Sequence, residues 1–96
     1  MSAVNNFNLP GAPILRMLIY PIQFEPDPLN GIDRVVTQVF ADLSRHPLHD
    51  VIAAIDAGLV SDARLSELIP QSHSEPVIRR FLSALRRRLE NEPGRI

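Results

Sequence analysis

The feature that most constrains the fold is a long amphipathic helix predicted for residues 74–92. Ser74 can cap its first turn, and Pro76 is tolerated there because a first-turn N–H has no helical partner. The apolar residues recur at spacings of one, three and four, which places them on one side of a 3.6-residue spiral. They are Val77, Ile78, Phe81, Leu82, Leu85 and Leu89.

Arginines occupy the side of this helix opposite the apolar stripe. Arg79 and Arg86 are seven residues apart, and so are Arg80 and Arg87, which predicts two basic columns. Arg88 lies near the edge of the stripe, where its stem can pack and its guanidinium can reach an acidic residue.

The stretch from Pro13 to Phe24 has almost no polar side and is predicted to be buried. Pro13 favours a short helix that ends before Pro21, because the residue before a proline is disfavoured in the helical region. An extended strand is the alternative, but the chain has no second good strand to pair with it. Residues 25–28 are predicted to form a rigid extended link.

Three further helices are predicted between this link and the last helix. Asp27 or Asn30 caps the first of them, which runs to about Ser44. A short turn at residues 44–46 predicts that the next helix, which begins at Pro47, is its antiparallel neighbour. Gly58 is predicted to end that helix in a left-handed conformation. Ser61 is predicted to cap a short helix that ends before Pro70.

These elements predict an all-α fold of four to five helices in a compact, partly orthogonal bundle. Residues 1–12 are predicted to be a flexible N-terminal arm, residues 13–92 a single domain, and residues 93–96 a frayed tail. The predicted core takes the centre of each stripe: Val36, Val39, Phe40, Val51, Ile55, Leu68, Phe81, Leu82 and Leu85.

Composition restricts the chemistry. The chain has no cysteine, which excludes disulfides, thiolate metal sites and cysteine nucleophiles. His46 and His49 form an H-x-x-H pair, but no third ligand with metal-site spacing accompanies them. We therefore predict no metal, no cofactor and no enzymatic activity. No secretory signal or membrane-spanning run is recognised, so a cytoplasmic protein is expected.

Charge is distributed unevenly, although the net charge is only −1. Residues 25–62 carry seven acidic residues and two arginines, a net charge of −5. Residues 75–92 carry five arginines and three acidic residues, a net charge of +2. Either the acidic helices neutralise the arginine helix internally, or the acidic surface is presented to a basic partner. The candidate partner-binding residues are Glu25, Asp27, Asp42, Asp50, Asp56 and Asp62.

Two stretches carry a resemblance to a known family. Asp56-Ala-Gly-Leu59, followed by the run from Leu68-Ile-Pro-Gln-Ser-His to Arg-Arg-Phe-Leu82, resembles the helical end of small bacterial immunity proteins from contact-dependent growth inhibition systems. The resemblance covers about a third of the chain. It implies a cytosolic antidote that binds a toxin domain, often a nuclease with a basic cleft, and blocks it by occlusion.

The alternative function is nucleic-acid binding by the last helix, through Arg79, Arg80, Arg86 and Arg87. The net charge and the lack of a recognisable helix-turn-helix turn weigh against it. Phe81 lies on the apolar stripe, where it cannot stack on bases.

Overall fold

The structure, a computed structural model, describes Leu9 and residues 11–91. The fold is all-α, as the sequence predicts, with four helices and no strand in the part described. The helices are α1 (Ala12–Ile19), α2 (Ile32–Ala41), α3 (Leu48–Val60) and α4 (Glu75–Glu90). Three single 3₁₀ turns connect them, at Tyr20–Ile22, Pro28–Gly31 and Leu65–Glu67.

Helix α4 is the centre of the bundle. It packs against α2 and α3, and also against the 3₁₀ turns that precede α2 and follow α3. Phe81, Leu82 and Leu85 have no exposed surface, because the stripe faces these neighbours. Eight of the nine predicted core residues are buried, and the ninth, Phe40, is partly buried against the core.

Helix α1 reaches the core by packing against α3 at two glycines. Gly11 has a left-handed φ of 78°, and a Cβ built on it would lie 2.5 Å from the Cβ of Ala54. A Cβ on Gly58 would lie 3.0 Å from Cδ1 of Leu15. A Cβ is therefore excluded at Gly11 and would be a tight contact at Gly58, so both glycines allow α1 and α3 to approach closely.

The end of α3 differs from the prediction. Gly58 is not left-handed; the helix continues through it to Val60, and its missing Cβ serves packing instead. Ser61 ends the helix by donating its hydroxyl to the Gly58 carbonyl (2.8 Å) and accepting from the N–H of Ala63 (3.2 Å). The short helix predicted from Ser61 to Ile69 is reduced to the 3₁₀ turn Leu65–Glu67.

The starts of two elements also differ from expectation. Ser74 is the N-terminal cap residue of α4, but its side chain makes no capping hydrogen bond. Pro76 removes one of the two N–H groups that such a side chain can reach. Asp27 does cap, accepting from the N–H of Leu29 at 3.1 Å, but the element it caps is the 3₁₀ turn before α2.

Helices α2 and α3 are consecutive, yet α2 packs mainly against α4, and α3 packs mainly against α4 and α1, rather than against each other. The prediction of an antiparallel pair is therefore wrong. The connection between them runs from Asp42 to Pro47, which is long enough for α3 to pack against other elements than α2.

The folded part begins earlier than the predicted boundary after residue 12. Leu9 packs against the core and Ala12 is buried. The rest of the predicted arm, residues 1–8 and 10, and the predicted tail, residues 93–96, lie outside the described residues.

Candidate functional site

Arg79, one of the four arginines predicted for nucleic-acid binding, is used inside the domain. Its Nε donates to Oε2 of Glu75 at 2.8 Å. Its terminal nitrogens donate to the carbonyl oxygens of Leu59 (3.0 Å), Ser61 (3.0 Å) and Ala63 (2.9 Å). Carbonyls at a helix end lack intrahelical partners, so Arg79 satisfies the end of α3 and joins it to α4.

Glu75 completes this junction from the first turn of α4. Its carboxylate accepts from the backbone N–H groups of Leu65 (3.0 Å) and Ser66 (2.8 Å) and pairs with Arg79. Burial raises the pKa of the Glu75 carboxyl, but the hydrogen bonds from Ser66, Leu65 and Arg79 outweigh it and hold the pKa below its ordinary value. Glu75 is therefore a structural carboxylate that is charged at neutral pH.

Arg86 is also engaged, and it takes a predicted partner-binding acid with it. Its guanidinium forms a two-pronged pair with the carboxylate of Asp56, and its Nη1 lies 2.7 Å from Oε1 of Glu90. The hydrogen bonds that Arg86 donates to Asp56, and then to Glu90, raise the pKa of Arg86 above its ordinary value. Asp56, a candidate partner-binding residue, instead pairs with Arg86 across α3 and α4, although its side chain remains 48% exposed.

Arg88 reaches an acidic residue, as the sequence predicts. Its Nη1 donates to Oδ1 of Asp33 at 2.6 Å and so links α4 to the first turn of α2. The acidic helices therefore neutralise the arginine helix within the domain at two residues, Asp33 and Asp56.

Arg80 and Arg87 form the outward column of α4. Both are exposed, and neither makes an ion pair with another described residue. Only these two of the four arginines proposed for nucleic acid are thus presented to solvent without an acidic partner among the described residues.

The predicted partner-binding acids divide into two groups. Two of them, Asp56 and Glu25, pair with arginines. Oε2 of Glu25 lies 2.5 Å from Nη2 of Arg34. The other four make no ion pair with an arginine of the described chain: Asp27, Asp42, Asp50 and Asp62. Oδ1 of Asp50 lies 3.1 Å from Nε2 of the exposed His49.

Two of these four acids flank α2. Asp27 precedes the segment that leads into α2, and Asp42 follows its last residue. The N–H groups of Arg45 (3.0 Å) and His46 (2.9 Å) donate to the Asp42 carbonyl and form a turn in the connection to α3, whose first turn carries Asp50. We call the exposed side of this element the α2 surface: Asp27, Arg34, Thr37, Gln38, Ala41 and Asp42.

An apolar groove of about 410 Å³ adjoins the α2 surface at Gln38. Its apolar lining includes Met17, Tyr20, Pro21 and Ile69, and Arg16 contributes a polar edge. Tyr20 at this groove is 65% exposed, and Phe24 in the following loop is 89% exposed. Large exposed apolar side chains that adjoin a groove are typical of interaction surfaces.

The two exposed aromatic residues were missed by sequence reasoning, which treated the run to Phe24 as buried throughout. Helix α1 ends at Ile19, and the 3₁₀ turn at Tyr20–Ile22 changes the direction of successive side chains. Ile22 remains buried while Tyr20 and Phe24 point outward. The available signal was Pro21 together with the polar neighbours Gln23 and Glu25, which indicate a break in the buried face.

The histidines do not converge. His49 is 84% exposed, and Nε2 of His73 lies 3.0 Å from the carbonyl oxygen of Ile22. Among residues 11–91 and Leu9, no group of three histidine, cysteine, aspartate or glutamate side chains is placed to hold a metal ion.

Comparisons of the chain with protein-family models, with curated proteins and with solved structures found no match. Within the part of the chain that the structure describes, no helix has the length and apolar character needed to cross a membrane.

Proposed function

We propose that this protein is a non-enzymatic protein-binding module of the immunity class, which binds a basic toxin domain and occludes it. The observation that carries the proposal is the group of carboxylates at Asp27, Asp42, Asp50 and Asp62. None pairs with an arginine of the described chain, although the fold pairs Glu25, Asp33 and Asp56 with arginines. Carboxylates left without such partners present negative potential to a basic surface.

The size of the α2 surface suits one interface. About fourteen residues separate Asp27 from Asp42, which at a helical rise of ~1.5 Å per residue is roughly 20 Å. A standard interface covers about 800 Å² on each partner, a patch roughly 30 Å across. One partner can therefore contact both ends of α2.

The expected energetics separate rate from affinity. Exposed carboxylates steer a basic partner and raise the association rate in a salt-dependent way. Only those that become desolvated against an arginine or lysine of the partner contribute several kcal/mol each. Asp42, which is half-buried in the free protein, and Asp50 are the acids we place at the centre of the contact.

The test compares two double variants, each of which replaces two charged side chains by neutral amides. Asp42→Asn with Asp50→Asn removes two carboxylates, and Arg80→Gln with Arg87→Gln removes two guanidiniums. Binding to a toxin domain encoded beside the gene for this chain is measured at low and moderate salt. We expect the aspartate variant to lose about tenfold or more in affinity and to show a weaker salt dependence, with an unchanged melting temperature.

The arginine variant should bind nearly as well as the unmodified protein. Equal binding by all forms would refute the proposed acidic contact. If the arginine changes abolish binding and the aspartate changes do nothing, the polarity of the site is reversed. The exposed pair Arg80 and Arg87 then supports the alternative, in which α4 binds nucleic acid and releases it as salt rises.

A further inference from the structure

Two aromatic side chains are exposed in the loop between α1 and α2. Phe24 is 89% exposed and Tyr20, four residues earlier, is 65% exposed. An aromatic side chain can remove 150–250 Å² from water when it is buried. Leaving two of them in water, one of them Tyr20 at the apolar groove, forgoes stabilisation that burial in the core would provide.

The loop is ordered by hydrogen bonds although it is exposed. The N–H of Gln23 donates to Tyr20 O (3.3 Å), and the N–H of Glu25 donates to Ile22 O (3.1 Å). Arg34 clamps the loop from α2, since it donates to the Pro21 carbonyl at 3.4 Å and to the Glu25 carboxylate. A surface that is already ordered loses little conformational entropy when a partner binds.

The charges near Phe24 favour a cationic occupant. Glu25 is neutralised by Arg34, but Asp27 is exposed, and its carboxylate accepts from the N–H of Leu29 alone among the described residues. Phe24 and Asp27 are three residues apart, so their Cα atoms lie within about 11 Å. A bound arginine side chain can pack its aliphatic stem on an aromatic ring and direct its guanidinium to a carboxylate at this separation.

We propose that Phe24 and Tyr20 form an anchor that receives an arginine or lysine side chain of a partner protein, with Asp27 as its counter-ion. The proposal deepens the function proposed above, on which it rests, because it adds the apolar part of the same contact. The aliphatic stem of the bound side chain lies against Phe24, and the neighbouring apolar residue of the partner enters the groove beside Tyr20. Aromatic anchors of this kind dominate the binding energy of many interfaces.

The test uses a defined probe: a short peptide of alternating leucine and arginine. A peptide of alternating leucine and glutamate is the matched control. Chemical shifts of the Phe24 and Tyr20 ring protons are followed by NMR as each peptide is added to the full chain. We expect saturable shifts with the arginine peptide alone, a loss of at least fivefold in affinity with Asp27→Asn, and no detectable binding with Phe24→Ala.

Other outcomes overturn the anchor. Equal or larger shifts with the glutamate peptide would assign the groove to an acidic partner that meets Arg16. Concentration-dependent self-association that Phe24→Ala abolishes would assign the surface to a second copy of this chain. An absence of ring shifts with either peptide would also refute it.

The two proposals fail separately. The proposed function fails when toxin-domain binding ignores Asp42 and Asp50. The anchor fails when the arginine peptide leaves the Phe24 and Tyr20 signals unmoved, whatever the toxin domain does. Arg80→Gln with Arg87→Gln serves as the variant that should leave the peptide titration unchanged, because α4 presents this column on its outer side.

Discussion

At the scale of single residues, arginine chemistry explains much of this domain. All ten basic residues are arginine, and Arg79 shows what the guanidinium makes possible. It donates to one carboxylate and three backbone carbonyls, on two different elements, at the same time. The single ammonium of a lysine carries three donors on one atom and cannot span these acceptors.

Glu75 leads to a prediction about acid stability. Its pKa is lower in the folded protein than the ordinary value of about 4.3, so the folded state favours the charged form. The stabilisation is therefore complete above pH ~4.3 and is lost as the pH falls through the lowered folded pKa. Glu75→Gln should lower the free energy of unfolding by roughly 1–3 kcal/mol at neutral pH.

The measurement is thermal or urea unfolding of both proteins from pH 7 to pH 3. The difference between them should shrink as the pH falls, because the unmodified protein loses its charged Glu75. Glu67→Gln is the control, because the Glu67 side chain is 61% exposed and its ion pair with the exposed Arg64 is long, at 3.9 Å. A Glu75→Gln difference that stays constant with pH would show that the carboxylate charge contributes nothing.

At the scale of helices and turns, apolar periodicity predicted α2, α3 and α4 because each helix buries one face. Proline and glycine were harder to interpret. A glycine in a helical pattern, such as Gly58, can mark either a helix end or a close packing contact. Periodicity cannot distinguish the two. The outward direction of Tyr20 and Phe24 depends on a 3₁₀ turn, whose geometry depends on tertiary contacts.

The same limit applies to the candidate site. The sequence identified the acidic residues and the arginine columns, and it also offered the alternative that they pair internally. Which acids pair depends on where α2 and α3 lie around α4. Asp56 pairs with Arg86, whereas Asp42 makes no such pair, and the sequence around each does not distinguish these outcomes.

Gly11 leads to a prediction about how α1 is attached to α3. Gly11→Ala would place a Cβ at a left-handed φ of 78° and only 2.5 Å from the Cβ of Ala54. The left-handed conformation and the overpacking together should cost roughly 2–4 kcal/mol. Gly58→Ala is the matched control, because its Cβ would meet the flexible end of Leu15 at 3.0 Å in a helical conformation.

Urea unfolding of the two alanine variants checks this prediction. Gly58→Ala should change stability by about 1 kcal/mol or less, because the helix propensity of alanine offsets the tight contact. If Gly11→Ala proves no more destabilised than Gly58→Ala, the start of α1 is not held against α3 in the way described.

At the scale of the whole molecule, α4 connects the other elements. It buries its stripe against α2 and α3, holds the end of α3 through Arg79, and reaches the start of α2 through Arg88. The apolar side of α4 serves stability and its paired arginines serve internal neutralisation. The surfaces that we propose for a partner are those of α2, its flanking acids and the preceding aromatic loop.

The final prediction tests this division with one substitution made at two places. Phe81 has no exposed surface at the centre of α4, whereas Phe24 is 89% exposed on the proposed anchor. Phe81→Ala should cost roughly 3–5 kcal/mol, because it removes buried apolar contacts and leaves a cavity. A domain of this size has only about 5–15 kcal/mol of stability, so its melting temperature should fall steeply.

Phe24→Ala removes the same atoms from a site that is already in water. Its melting temperature should therefore change little, within about 0.5 kcal/mol of stability, while its peptide binding is lost. A melt in which Phe81→Ala behaves like the unmodified protein would contradict the position of α4 at the centre of the core. A melt in which Phe24→Ala unfolds the protein would instead make Phe24 a structural residue, and the aromatic loop could not serve as a binding anchor.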